Sequence, residues 1–184
     1  MKAWQAGIVV VAAAGNSGPD PMTIGVPGNV PYVITVGAMT DNYSPIDSTD
    51  DKLATFSSTG PTYEGFVKPE VVAPGGHIVS SLPFDGYIAS LYPGSMVGAD
   101  RQFKMSGTSQ ATAIVSGIVA LMLQKDPSLT PDQVKCRLMA SARAAVNAKG
   151  KAAYSVFQQG AGLVNALAAV NSGESTCANR GLDI

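Results

Sequence analysis

The chain has 184 residues, of which 46% are apolar and 14% charged. So low a charged fraction excludes a disordered chain, and a net charge of −1 excludes an electrostatic nucleic-acid binder, which needs a basic excess. The two cysteines, Cys136 and Cys177, form no Cys/His cluster for zinc and leave one disulfide open as an option.

Ile8 to Ala14 is an unbroken apolar run rich in Val, which predicts a strand buried on both faces, as in a parallel sheet. Met1-Lys2, this short run and its A-x-A ending also have the shape of a signal peptide. The turn cluster Gly15-Asn16-Ser17-Gly18-Pro19 closes the run. Tyr32 to Val36 predicts a second buried strand, and Asp41 to Asp51 an exposed polar loop. Val71-Val72-Ala73 and Ile78-Val79-Ser80 predict short strands around Pro74-Gly75-Gly76. Leu82 to Arg101 shows no period and reads as a surface excursion.

Gly107 to Gln124 is apolar on most faces, which predicts a buried helix whose small residues allow close packing. A further helix is expected from Pro131. Thr130 is its N-cap, Gln133 completes a capping box, and Leu129 with Val134 forms a hydrophobic staple. A last helix is expected over 163–170. Ala113 to Leu123, the longest other apolar stretch, is broken by Ser116-Gly117 and is too short to cross a membrane. Non-alternating strands followed by helices predict an α/β layer architecture.

Two places offer chemistry. Ser106-Gly107-Thr108-Ser109 opens the buried helix, where unpaired backbone N–H groups and the helix dipole stabilise an oxyanion. The simpler reading is that one of these hydroxyls caps the helix. Asn16 follows the first strand, and ligands of parallel sheets bind beyond the carboxyl ends of strands. Its amide is a neutral donor for an oxyanion, or merely a turn residue.

Gly107-Thr108-Ser109-Gln110-Ala111-Thr112-Ala113-Ile114-Val115-Ser116-Gly117 resembles the nucleophile motif of the subtilisin-like serine proteases, the subtilases. Ala13-Ala14-Gly15-Asn16-Ser17-Gly18 is similar to that family's oxyanion segment. The segments 31–38, 56–61, 68–75 and 160–166 follow in the family's order, so the likeness spans most of residues 4–170. The resemblance implies a three-layer α/β fold, a mostly parallel sheet with helices on both faces, over residues 1–170. Residues 171–184 form an extension without an assigned role. It implies Ser109 as nucleophile and Asn16, with the Ser109 N–H, as oxyanion hole. Ala13, Ala14, Gly15 and Thr108 would bind substrate, a protein or peptide. It implies no required cofactor; calcium as a structural ion is an option, with carbonyl oxygens of the 28–33 loop as one source of ligands. Secretion or an extracellular location is implied by the family alone.

Two departures from the family pattern lie beside Ser109. Gln110 stands where the family usually has Met, and Ala113-Ile114 where it usually has Pro and a later His. A serine nucleophile also needs a base and an orienting acid, which in subtilisins come before the serine in the order Asp, His, Ser. No Asp or His precedes Asn16. The single histidine, His77, follows Pro74-Gly75-Gly76 and reads as structural. Asp41, Asp47, Asp50 and Asp51 fit no EF-hand spacing and read as a solvated loop. The expectation is therefore the C-terminal part of a longer catalytic domain, inactive by itself and partnered by an upstream segment with Asp and His. A non-catalytic pseudoprotease or binding module on the same scaffold is the alternative.

Overall fold

A computed structural model describes residues 1–44, 50–83, 86–98, 102–147 and 149–182. Its main sheet is centred on β2 (Ile34–Thr40), which is buried along nearly its whole length. On one side β2 pairs in parallel with β1 (Val11–Ala13) and, further along, antiparallel with β3 (Lys52–Leu53). On the other side it pairs in parallel with β4 (Val71–Pro74). Val72 then bridges to Leu163, which extends the parallel order by one contact.

The predicted strand over 8–14 shortens to three residues, because the ladder with β2 covers only Val11 to Ala13. Ile8 is 58% exposed, so this end of the apolar run is not covered by the described residues. β2 begins two residues later than expected and runs four further, to Thr40.

One hydrophobic cluster joins the sheet to the helices. Ile34, Val36 and Ala38 alternate on β2 and share the cluster with Val71 and Ala73 of β4. α3 (Thr108–Lys125) contributes Ala111, Val115, Ile118, Val119 and Met122. Burying these five side chains is a main source of stability, at roughly 1.5–3 kcal/mol for each of the larger ones. α4 (Pro131–Ser141) adds Val134 and Leu138, and α6 (Ala166–Asn171) adds Ala169. Trp4 of α1 (Lys2–Gln5) completes the group, with its indole donating to Asp132 of α4 at 3.0 Å.

The α4 start follows its sequence signals. The Thr130 hydroxyl accepts from Gln133 N, Gln133 Oε1 accepts from Thr130 N, and Leu129 and Val134 are both buried. The final helix starts at Ala166 rather than 163, since Leu163 is held in bridges to Val72 and Arg143 and Asn165 caps the helix.

The described part of 82–101 is more ordered than its sequence suggests. α2 (Tyr87–Leu91) leads through a 3₁₀ turn into β6 (Met96–Val97). β5 (Ile78–Ser81), β7 (Gln102–Met105) and β6 form a second, antiparallel sheet in the order β5-β7-β6. β7 delivers the chain directly to Ser106 and α3. A short α5 (Val156–Gln159) precedes Gly160.

Residues 171–182 are tied back onto the domain. A disulfide joins Cys177 to Cys136 of α4, with Cα atoms 5.1 Å apart. Asn179 reaches Tyr32, Asp132 and Lys135.

Candidate active site

Parallel pairing puts the carboxyl ends of β1, β2 and β4 at one end of the sheet. Asn16 follows β1 there, and Gly107 N donates to Gly75 O, just past β4, at 2.8 Å. The start of α3 therefore sits beside the Asn16 turn, although the two lie more than ninety residues apart.

The Asn16 turn is fixed from beneath. Gly15 has φ +109, which favours glycine, and a Cβ there would lie 2.8 Å from Ser58 Oγ. Ser58 N donates to Gly15 O, while Ser58 Oγ accepts from Ser17 N at 3.1 Å. Gly25 N donates to Ala14 O, so the 25–33 loop lies against the end of β1. Ala14 is buried, while Ala13 and Gly15 are half-buried at the mouth of the site.

Thr108 joins the two halves. Its backbone N donates to Asn16 Oδ1 at 2.9 Å, and its hydroxyl donates to the same oxygen at 3.0 Å. The hydroxyl oxygen in turn accepts from Gly15 N at 3.3 Å. With Oδ1 engaged twice, the amide is oriented and its Nδ2 is left as an available donor. Gly107 packs closely here: a Cβ on it would lie 2.8 Å from Gln110 Oε1 and in ordinary contact with Asn16 Nδ2 at 3.6 Å. Ser109 is exposed in the first turn of α3. Among the described residues no hydrogen bond engages its hydroxyl or its backbone N–H. This end of the sheet thus presents a hydroxyl, a helix N–H and an amide N–H; the two donors can hold an oxyanion, and the hydroxyl can attack a carbonyl once a base activates it.

Thr108, which the resemblance assigns to substrate binding, makes two hydrogen bonds to Asn16 Oδ1. The signal was a hydroxyl next to Ser109, but its partner could not be seen from local sequence. Gln110, the departure from the Met pattern, lies close by: its Nε2 donates to Met105 Sδ at 3.8 Å. His77 has φ +57, and its ring stacks on Tyr43 with centroids 3.8 Å apart. Its backbone N donates to Ser106 Oγ, and no hydrogen bond joins its ring to Ser109. Asp47 lies outside the described residues. Asp50 accepts from Ser44 and Asn42, and no group of three or more His, Cys, Asp or Glu able to hold a metal occurs among the described residues.

At the opposite, amino end of the sheet is a charged cluster that sequence reading missed. Lys68, Glu70 and Lys135 are 1%, 6% and 4% exposed. Glu70 Oε1 lies 2.6 Å from Lys68 Nζ and 2.7 Å from Lys135 Nζ, and Oε2 accepts from Thr35 N at 2.7 Å. Burial lowers the Lys68 pKa to about 8; Glu70 opposes that shift and Lys135 adds to it. The available signal was Lys68-Pro69-Glu70 directly before an apolar strand, in a chain with few charges.

The fold is an α/β one of parallel strands and packed helices. Residues 1–162 match the subtilase family, and the chain belongs to it. It is 54% identical over 134 residues to serine protease AprX of Bacillus subtilis, covering 73% of this chain and 30% of that protein. It is 36% identical over 170 residues to subtilisin DY of Bacillus licheniformis, covering 91% of this chain and 48% of that protein. Fervidolysin from Fervidobacterium pennivorans, a keratinolytic enzyme related to subtilisin, superposes with a TM-score of 0.69 at 29% identity. That match covers 95% of this chain and 24% of fervidolysin. The chain thus spans less than half the length of these relatives. The α/β fold expected from the motifs is a subtilisin-like one. No helix among the described residues is long and apolar enough to cross a membrane.

Proposed function

We propose that these residues are the nucleophile-bearing part of a serine endopeptidase that cleaves protein or peptide substrates. Ser109 attacks the scissile carbonyl. Asn16 Nδ2 and the Ser109 N–H receive the oxyanion, with Thr108 holding the Asn16 amide in place. Ala13, Ala14 and Gly15 wall the pocket for the side chain before the cut. The base and its orienting acid come from residues outside these 184, since the ring of His77 is stacked on Tyr43 and engages nothing at Ser109. The observation that carries this reading is the pair of hydrogen bonds from Thr108 to Asn16 Oδ1, which aim a free amide N–H beside the serine-bearing helix start.

The test is fluorophosphonate labelling and peptide hydrolysis by the native protein that carries these residues. Label is expected on Ser109, and Ser109→Ala is expected to lose labelling and reduce hydrolysis to near background. Full activity in Ser109→Ala would sink the assignment, and an unlabelled, inactive wild type would favour a non-catalytic scaffold. An oxidising, extracellular location is part of the proposal and is supported by the Cys136–Cys177 disulfide.

A further inference from the structure

Ser109 stands in the first turn of α3, so its place is set by where that helix begins. The residues just before it are held by one turn of the chain. β4 ends at Pro74, and Gly75-Gly76-His77 leads into β5. Gly75 O accepts from Gly107 N at 2.8 Å, and His77 N donates to Ser106 Oγ at 2.8 Å. This turn thus bonds both residues that precede Thr108 and Ser109. It is closely packed as well. Gly75 N and Gly76 N both donate to Met39 O, at 2.9 and 3.1 Å. A Cβ on Gly75 would lie 2.7 Å from Gly107 O, and one on Gly76 2.5 Å from Thr40 Cβ.

Asn42, Tyr43 and His77 have φ of +48, +69 and +57, a region that bulky side chains rarely occupy. Such backbone persists only where its surroundings over-determine it. For Tyr43 and His77 those surroundings include each other's rings, which stack with centroids 3.8 Å apart and planes 28° from parallel. Among the described residues no hydrogen bond engages the His77 ring, and its Nδ1 is buried. The imidazole is therefore held by packing, chiefly by its face on Tyr43. Lys104 of β7, two residues before Ser106, places Nζ 5.9 Å from the Tyr43 centroid, within cation–π reach. A short path of contacts runs from the Tyr43 ring to the His77 ring, from His77 N–H to Ser106, and on to the helix start.

We propose that Tyr43 and His77 are positioning residues for the Ser109 site: their stacked rings hold the 75–77 turn against the start of α3. The inference rests on Ser109 being the nucleophile. His77 acts here through the shape of its ring and through its backbone N–H, not by taking a proton.

The experiment uses the native protein that carries these residues, at a temperature where circular dichroism shows every variant folded. His77→Asn keeps the backbone N–H and a residue that tolerates positive φ, but loses the ring. It is expected to lower kcat on a peptide roughly three- to tenfold with KM unchanged, and to slow fluorophosphonate labelling of Ser109 equally. Tyr43→Ser should do the same. The double variant should fall no further than either single one, because both remove the same contact. His77→Phe, which keeps a flat ring without a titratable nitrogen, should restore most of the rate. Wild-type kcat in both single variants, losses that multiply in the double variant, or a His77→Phe as slow as His77→Asn would each overturn the proposal. A raised KM at unchanged kcat overturns it too, since the rings would then touch substrate. A wild type that takes no label refutes the nucleophile assignment and this inference together; a labelled wild type with unaffected variants sinks this inference alone. Should His77→Asn fail to fold, Tyr43→Ser decides, because Tyr43 is 67% exposed on a surface turn.

Discussion

The carboxyl end of the sheet holds Asn16 and Ser109, both exposed, with an amide and a helix N–H that no described residue accepts from. The amino end holds Lys68, Glu70 and Lys135, all under 10% exposed, with every charge surrounded by oxygens or ammonium groups. Both lie at ends of the same sheet, and both join residues far apart in sequence. They differ in what is left unmet. A site that is to receive a developing charge must keep its donors unpaired and pre-aimed until the substrate arrives. A clamp must leave nothing unpaired, because a buried charge without partners is strongly destabilising. Substitutions at the carboxyl end should accordingly appear in rates, and those at the amino end in stability.

The largest break in this comparison comes from Asn16→Ala. The variant should keep the thermal midpoint of wild type to within a few degrees, since Asn16 is exposed. Its kcat on a peptide substrate should fall by about 10²–10³, a scale taken over from a subtilisin asparagine rather than one this geometry yields. A comparable loss of folding stability with little change in kcat would make Asn16 a turn residue only.

Thr108→Val sharpens the same end. It removes the hydroxyl that donates to Asn16 Oδ1 and accepts from Gly15 N, while the backbone donor of residue 108 remains. One of two orienting bonds is lost, so kcat should fall on the order of tenfold with KM nearly unchanged. Thr108→Ser should restore most of the rate. If KM rises instead and kcat holds, Thr108 touches substrate rather than positioning Asn16.

The two ends also differ in how far the sequence discloses them. The carboxyl-end motifs are compact: turn chemistry around Gly15-Asn16 and the helix start at Gly107-Thr108-Ser109 each occupy a few consecutive residues. Their meeting was implied only by the subtilase resemblance, since nothing local shows Thr108 reaching Asn16. The amino-end cluster joins Lys68 and Glu70 of one segment to Lys135 and Asn179 of two others, and nothing local shows that they meet. The resemblance offers the 28–33 carbonyls as one source of calcium ligands; in the structure those of residues 31 to 33 accept from lysine ammonium groups. The described part of 82–101 shows no pattern because a five-residue helix, a three-residue 3₁₀ turn and a two-residue strand are too short to show a period. Residues 171–182 carry no pattern of their own, and their place is set by the disulfide and by Asn179.

The smallest expected effect, and the one specific to the amino end, is a pH dependence from Lys68. Burial disfavours its ammonium and lowers its pKa from 10.5 to about 8, with Lys135 adding to the shift and Glu70 opposing it. Below pH 8 the proton is bound in both the folded and unfolded chains, so the penalty on the charged form is constant. Between about pH 8 and 10.5 the folded chain has released that proton while the unfolded chain still holds it. The unfolded state then binds more protons, and stability rises with pH through this window. Tyrosines and other lysines titrate in the same range, so the readout is the difference between wild type and Lys68→Met. That difference should be flat from pH 6 to 7.5 and should turn in favour of wild type between about pH 8 and 10.5, followed by urea unfolding at each pH. A difference that stays level across the window would mean the cluster holds the Lys68 ammonium as well as water does. The contrast between the two ends would then rest on geometry alone, without an electrostatic cost at the buried one.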